Sequence, residues 1–378
     1  MAEPVLVVVF LRGGADGLGL VSPTSDPDFI AARPTDLRVA RSGDSAGVRL
    51  AQDLADVDFR FHPAASPLAE LYAAGDMSLI HASGLTEATR SHFDAEARIE
   101  RAAQSGSAGG WLGRWLAATN PPGDLPALAV GTALPGSLRG SGAAVAAELG
   151  DMLLARGHWL APSLRQRLSA GFGGHGPIDR PVQDLLHLSD IMAGRIWSET
   201  SGELKPYHPD FPYPEGNPLS QPLMTVAQTI KLGLGTRIAT VDFPGWDTHV
   251  RQAGPFGELV GQLSSALMAF WRDLASLQQD VSVVVMSEFG RRLRANASGG
   301  TDHGRGNVMM VLGPQARGGR MLGRWPGLAN DRLEEGADLA VTTDYRAVLS
   351  EILVRHMATP DIAAIFPDFA AKPPGLWR

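Results

Sequence analysis

Carboxylates and histidines recur where apolar runs of this chain break into glycine-rich turns, a pattern able to hold a metal ion. Glu288 follows the apolar run 281–285, and Asp302-His303 comes after it in the glycine-rich stretch 299–306. Asp247 and His249 stand in the turn Pro244-Gly245-Trp246-Asp247-Thr248-His249, behind the run 237–241. Asp16 stands in the turn Arg12-Gly13-Gly14-Ala15-Asp16-Gly17, behind the run 5–11. A divalent cation needs several carboxylate oxygens and imidazole nitrogens converging from separate parts of a rigid frame. One acidic turn is ordinary, because Asp and Gly are turn residues. Three at the ends of apolar runs point to a metal site, and with no cysteine in the chain, oxygen and imidazole must supply every ligand. Zinc, manganese and calcium fit that donor set, as one ion or two. Taken alone, Asp16 reads equally well as a turn or helix-capping aspartate.

These turns need a scaffold that ends several strands at one edge. Residues 5–11 are apolar and largely β-branched, as a parallel strand covered on both faces would be. Further strands are expected over 77–82, 125–130, 237–242, 281–286 and 308–312, and helices over 67–74, 223–234, 256–277 and 342–356. The alternation predicts an α/β fold: a mostly parallel sheet with helices on both faces, whose ligand sites lie at the carboxyl ends of the strands. A helix is also expected from His92 to about Ala103. Ser91 stands at its N-cap position, with Asp94 three residues on partly imitating a capping box. The same position exposes free N–H groups and a positive dipole end to an anion, so a serine there can act as a nucleophile. Between about 111 and 222 the pattern breaks into glycine-rich loops, short helices and the proline-rich run 205–214, read as an inserted cap that shapes substrate access within a single domain. His158, His175, His187 and His208 fall there without partners in ligand spacing.

Composition narrows the classes. The chain is 44% hydrophobic and 19% charged, ordinary for a globular protein, and its net charge of −7 argues against a nucleic-acid binder. No apolar run approaches the ~18 residues of a membrane span; the apolar start is too short and β-branched for one, and without a basic flank it does not read as a signal peptide. No repeat accompanies the single Trp246-Asp247 pair, so it is no propeller signature.

The stretches LVVVFLRGGADGL, RSHFDAEARIE, FPGWDTHVRQ, VVVMSEFGRR and GGTDHGRGNVMMVLG, spread from Val5 to Phe366, closely resemble the bacterial family catalogued as domain of unknown function 1501. That family looks like a divergent branch of the alkaline phosphatase and sulfatase superfamily. The resemblance implies an alkaline-phosphatase-like fold and a metal-dependent hydrolase of phosphate or sulfate esters, acting on a small anionic substrate. It implies that Asp16 binds metal, that Ser91 is the nucleophile, and that Asp247 and His249 are a ligand pair, here spaced Asp-x-His where Asp-x-x-x-His is usual. Two registers fit the remaining ligands. In one, Asp302-His303 is the superfamily's paired Asp-His. In the other, which suits the strand and turn better, Glu288-Phe289 takes that place and His303 is the final histidine, which leaves Phe289 where a ligand would be. Members of the family often carry a twin-arginine export signal, which implies a periplasmic or extracellular home.

The chemistry implied is in-line attack by Ser91 on the ester, a covalent serine ester, and its hydrolysis by water, with His92 or Arg12 stabilising charge on the equatorial oxygens. Formylglycine chemistry does not fit, because Phe93 and Ala95 stand where that motif needs Pro and Arg. The second reading is a metal-stabilised binding or assembly protein that has lost turnover, favoured by Phe289 and the short Asp247–His249 spacing. A third is an oxygen-activating iron site built from Asp247, His249 and His303.

Overall fold

The computed structural model describes residues 3–43, 45–51, 54–103, 109–155, 157–313, 317–370 and 372–377. The strands of its central sheet and of the hairpin beside it, in chain order, are β1 (Val5–Leu11), β2 (Met77–Gly84), β3 (Ala127–Val130), β4 (Ala144–Ala146), β5 (Ile238–Phe243), β6 (Val281–Ser287), β7 (Arg291–Ala295), β8 (Thr301–His303), β9 (Asn307–Leu312), β10 (Arg320–Leu322) and β11 (Thr343–Asp344). The helices that matter here are α1 (Ser66–Ala74), α2 (His92–Arg101), α3 (Trp111–Thr119), α4 (Ala161–Gly171), α5 (Asp179–Ile196), α6 (Ser220–Lys231), α7 (Ala253–Leu274) and α8 (Tyr345–Arg355).

All but β7 and β8 join one nine-stranded sheet in the order β10-β2-β9-β6-β1-β5-β3-β4, with β11 also on β2. β1 lies at its centre, parallel to β5 on one side and β6 on the other, and β5 continues in parallel to β3 and β4. β9 alone runs against its neighbours β6 and β2. The fold is therefore α/β with a mostly parallel sheet, as expected. Every residue of β1 is buried, because odd and even side chains feed different layers. Val5, Val7, Val9 and Leu11 pack with Leu68, Leu223, Val260 and Leu263 of α1, α6 and α7. Leu6, Val8 and Phe10 pack with Ile99, Trp111, Trp115 and Leu349 of α2, α3 and α8. Helices thus cover both faces.

Much of the region expected to be an insertion belongs to these layers. β3 and β4 extend the central sheet, and Trp111 and Trp115 of α3 are core residues. β3 falls within the strand expected over 125–130, whereas the three-residue β4 is too short to show a period of its own, which is why the sheet's last strand was hidden. The pair α4 and α5 and the proline-rich run 205–214 do lie outside the sheet. Buried Asp273 of α7 anchors that run, accepting from the Tyr207 hydroxyl (2.7 Å), the Tyr213 hydroxyl (3.0 Å) and the Asp210 N–H (2.7 Å), with Lys231 at 2.6 Å. No helix among the described residues is long and apolar enough to cross a membrane.

Candidate metal centre

The carboxyl ends of β1, β5 and β6 lie side by side in the sheet, and the turns beyond them carry the site. The turn after β5 presents Asp247 and His249. The hairpin of β7 and β8, which follows β6, presents His303, and the first residue of α2 is His92. Their donor atoms converge. The Nε2 atoms of His249 and His303 are 2.8 Å apart, and each lies 3.0 Å from Asp247 Oδ1. His92 Nε2 is 3.5 Å from Asp247 Oδ2, is buried, and has no hydrogen-bond partner. One donor atom from each of His92, Asp247 and His303 lies within 4.8 Å of the others.

The far side of each imidazole is held by an acceptor. His303 Nδ1–H donates to the Arg90 carbonyl (2.7 Å), and His92 Nδ1–H donates to Glu288 Oε1 (2.8 Å). His249 Nδ1 lies 3.4 Å from Asp302 Oδ1, which itself accepts from Asn296 Nδ2 at 2.9 Å. A carbonyl or carboxylate can only accept, so Nδ1 keeps the proton and Nε2 of the neutral ring keeps a lone pair. Carboxylates and carbonyls behind histidines are how metal-binding imidazoles are oriented. The residues present therefore fit a divalent metal: His92, Asp247 and His303 meet closely enough to share an ion, His249 stands beside Asp247 and His303, and an otherwise unpartnered buried nitrogen of His92 is aimed among them.

The electrostatics agree. Burial pushes the Glu288 carboxyl up, but the bonds it accepts from His92, the Gly13 N–H (2.8 Å) and the Ser287 hydroxyl (2.9 Å) outweigh burial and hold it below the usual carboxylate range. Asp247 is likewise lowered, its burial outweighed by His303 and Arg291. Asp302 is lowered mainly by Asn296. The His92 imidazole is raised, first by its bond to Glu288. Close approach of the turns requires glycine at Gly13, whose φ is +119° and where a Cβ would lie 2.5 Å from the Asp247 backbone nitrogen.

The remaining expected site residues fall elsewhere. Asp16 does not face the histidines: both its oxygens are bound by Arg33, with further bonds from Gln252 Nε2 (2.7 Å) and the Gly19 N–H (3.1 Å), so it caps the short helix Gly17–Leu20 inside a buried ion pair. That corrects the metal-ligand reading of Asp16, because no oxygen is left facing the site. Arg12 is engaged by Glu100 (2.7 Å) and Asp242 (3.0 Å), which corrects its reading as an oxyanion stabiliser. Glu288 is fully buried behind His92 and reaches the centre only through that ring. Ser91 is the exposed N-cap residue of α2, and its side chain makes no cap hydrogen bond. It sits between the Arg90 carbonyl on His303 and the His92 ring on Glu288. Asp302 stands behind His249. Phe289 packs against His92 and His303, with ring centroids 4.9 and 4.8 Å away, and forms an apolar wall of the site.

Two residues of the site lie outside the ligand set expected from sequence. His92 was expected as a charge stabiliser, and its position next to Ser91 gave no sign that its ring turns toward Asp247. Arg291, buried behind the turns, carried a signal only in following Glu288 within one short stretch.

Residues 217–359 match the family model described as "Protein of unknown function (DUF1501)". No curated protein matches the chain in sequence. Among solved structures, a putative sulfatase from Bacteroides thetaiotaomicron VPI-5482 is similar over 98% of this chain and 76% of its own, at 8% identity and a TM-score of 0.37. The alkaline phosphatase from the Antarctic bacterium TAB5 is similar over 83% of this chain and 92% of its own, at 11% identity and a TM-score of 0.35.

Proposed function

We propose that this chain, which residues 217–359 identify as a DUF1501 protein, is a metal-dependent hydrolase of phosphate or sulfate esters, with His92, Asp247, His249 and His303 holding the metal. The observation that carries this reading is the convergence of three Nε2 atoms on one carboxylate while each Nδ1 faces an acceptor. A donor set rich in imidazole suits zinc best, manganese less well because it favours oxygen ligands, and disfavours calcium. With Asp16 engaged by Arg33, the set provides for one ion. That ion, when bound, supplies Lewis acidity that polarises an ester oxygen and lowers the pKa of a nearby hydroxyl.

The chain's own residues supply the rest. Ser91 presents a hydroxyl committed to no cap bond at the N-terminus of a ten-residue helix, where free N–H groups and the dipole favour an anion. Attack by Ser91 Oγ forms a bond to phosphorus or sulfur as the bond to the leaving oxygen breaks, and water then cleaves the serine ester. Glu288 and Asp302 orient His92 and His249. Metal analysis of the purified protein, paired with a screen of phosphate mono- and diesters and sulfate esters, tests the reading. The expected result is about one zinc or manganese per chain and turnover of an ester class. A metal-free protein after purification in supplemented buffer, without esterase activity, overturns it.

A second reading, a metal-stabilised binding protein without turnover, is favoured by one observation. Arg12, near the centre, is neutralised by Glu100 and Asp242 and so is not free to bind an ester anion. Stoichiometric metal without turnover of any ester would support it.

A further inference from the structure

We infer that Arg291 is the positioning residue of the metal centre, fixing which oxygen of Asp247 is offered to the ion. Arg291 opens β7 directly across from His303 in the antiparallel hairpin, and its side chain is fully buried. The guanidinium reaches the turns after β1 and β5 and the strand that carries His303. Nε donates to the Gly14 carbonyl (2.5 Å) and Nη2 to the Gly13 carbonyl (2.6 Å), both in the turn after β1. Nη2 also donates to Asp247 Oδ1 (2.7 Å), sharing a hydrogen with the Trp246 carbonyl 2.9 Å away, in the turn after β5. Nη1 donates to the Thr301 carbonyl (2.8 Å), two residues before His303. Three separate stretches of chain are thus tied to one rigid, planar cation.

The consequence for Asp247 is specific. Oδ1 accepts from Arg291 while lying between His249 and His303, and Oδ2 faces His92. A carboxylate held on one oxygen by a guanidinium cannot swing freely between one-oxygen and two-oxygen binding. Its orientation is set before any ion arrives, which lowers the ordering cost of binding. A lysine cannot replace this, because a single ammonium on a flexible stem cannot reproduce a fork of five fixed donors aimed at three loops.

The assignment rests on the metal-binding reading, and its test needs no activity. Zinc affinity would be measured by competition with a chromophoric chelator, and the visible spectrum of the cobalt-substituted protein recorded, for wild type, Arg291→Lys and Arg291→Gln. The expected result is a folded variant with affinity lowered ~10–100-fold, the range for residues that orient ligands, and a shifted cobalt spectrum. Asp247→Asn, which should cost affinity strongly in wild type, should cost less in the Arg291→Lys background, because the two residues act as a unit. Variants that lose thermal stability yet keep wild-type zinc affinity and an unchanged cobalt spectrum would overturn the assignment. Failure of both variants to fold would also overturn it, making Arg291 a purely structural residue. Wild-type protein that binds neither zinc nor cobalt overturns the metal reading itself, an outcome distinct from either.

Discussion

His249 and His303 come from turns 54 residues apart in sequence, yet their Nε2 atoms stand 2.8 Å from each other. In neutral rings protonated on Nδ1, two lone pairs face across that gap, an arrangement that a shared cation stabilises. His249→Ala or His303→Ala should therefore lower metal affinity by more than ~100-fold, beyond the loss expected for residues behind the ligands. Both variants should stay folded, since each ring is partly exposed at the mouth of the site. Equilibrium dialysis against zinc, alongside circular dichroism, checks this, and wild-type affinity in both variants would refute the ligand set.

Metal affinity should fall with pH. Imidazole ligands bind only when unprotonated, and an ordinary histidine titrates near 6.5. His92 is raised above that by Glu288, so in the metal-free protein a proton competes at Nε2 from above pH 6.5 downward. Zinc titrations between pH 8 and pH 5 should show affinity declining from the neutral side. Glu288→Gln should move the onset to lower pH, because the charge that raises His92 is gone. An onset unchanged by Glu288→Gln would show that Glu288 does not govern the ring.

Ser91→Ala separates the nucleophile from the cap. An N-cap serine that bonds its helix is worth ~1 kcal/mol, but Ser91 makes no such bond. The variant should lose less than about 0.5 kcal/mol of stability and keep its metal, while ester turnover disappears. Turnover retained at the wild-type rate would remove Ser91 from the chemistry.

The parallel core was legible because buried parallel strands leave long β-branched runs, and residues 5–11 and 281–287 show them plainly. β9 was located but not its antiparallel direction, because a run such as Val308-Met309-Met310-Val311-Leu312 reads the same either way. Asp247, His249 and His303 stood out as ligand types in glycine-rich turns. Asp16 stood out for the same reason and was misassigned, since its partner Arg33 lies beyond a turn and a helix and nothing in sequence couples them. The place of His92 in this cluster was not legible, because the contact that turns its ring comes from Glu288, 196 residues away in sequence.

His81 should make the metal-free protein acid-sensitive before its carboxylates do. The ring is fully buried in β2, donating from Nε2 to the Val21 carbonyl (3.0 Å) and accepting the Ala82 N–H on Nδ1 (2.9 Å), with Phe59 and Trp325 packed against it. Burial pushes it down to about 4. Between that value and 6.5 the unfolded chain binds a proton that the folded chain refuses, so stability is lost as pH falls through this window. The loss is roughly 3 kcal/mol at most. Urea unfolding of metal-free protein at pH 7.5 and pH 4.5 should show it, and His81→Gln should flatten the difference. An equal pH dependence in that variant would assign the loss elsewhere.

Asp16→Asn tests whether that aspartate serves the fold or the metal. Its carboxylate is held below the ordinary value of 3.8, where burial is outweighed by Arg33, Gln252 and the Gly19 N–H. Neutralising it leaves the Arg33 guanidinium buried without its counter-charge, and removing one partner of such a pair costs roughly 3–5 kcal/mol. The stabilisation from a lowered carboxyl is present above its unfolded value and is lost as pH falls through the folded one. Wild type and Asp16→Asn should therefore differ most near neutrality and converge in strong acid. Metal stoichiometry should be unchanged, because no oxygen of Asp16 faces the histidines. A variant that keeps its stability but loses its metal would reverse the assignment and return Asp16 to the ligand set.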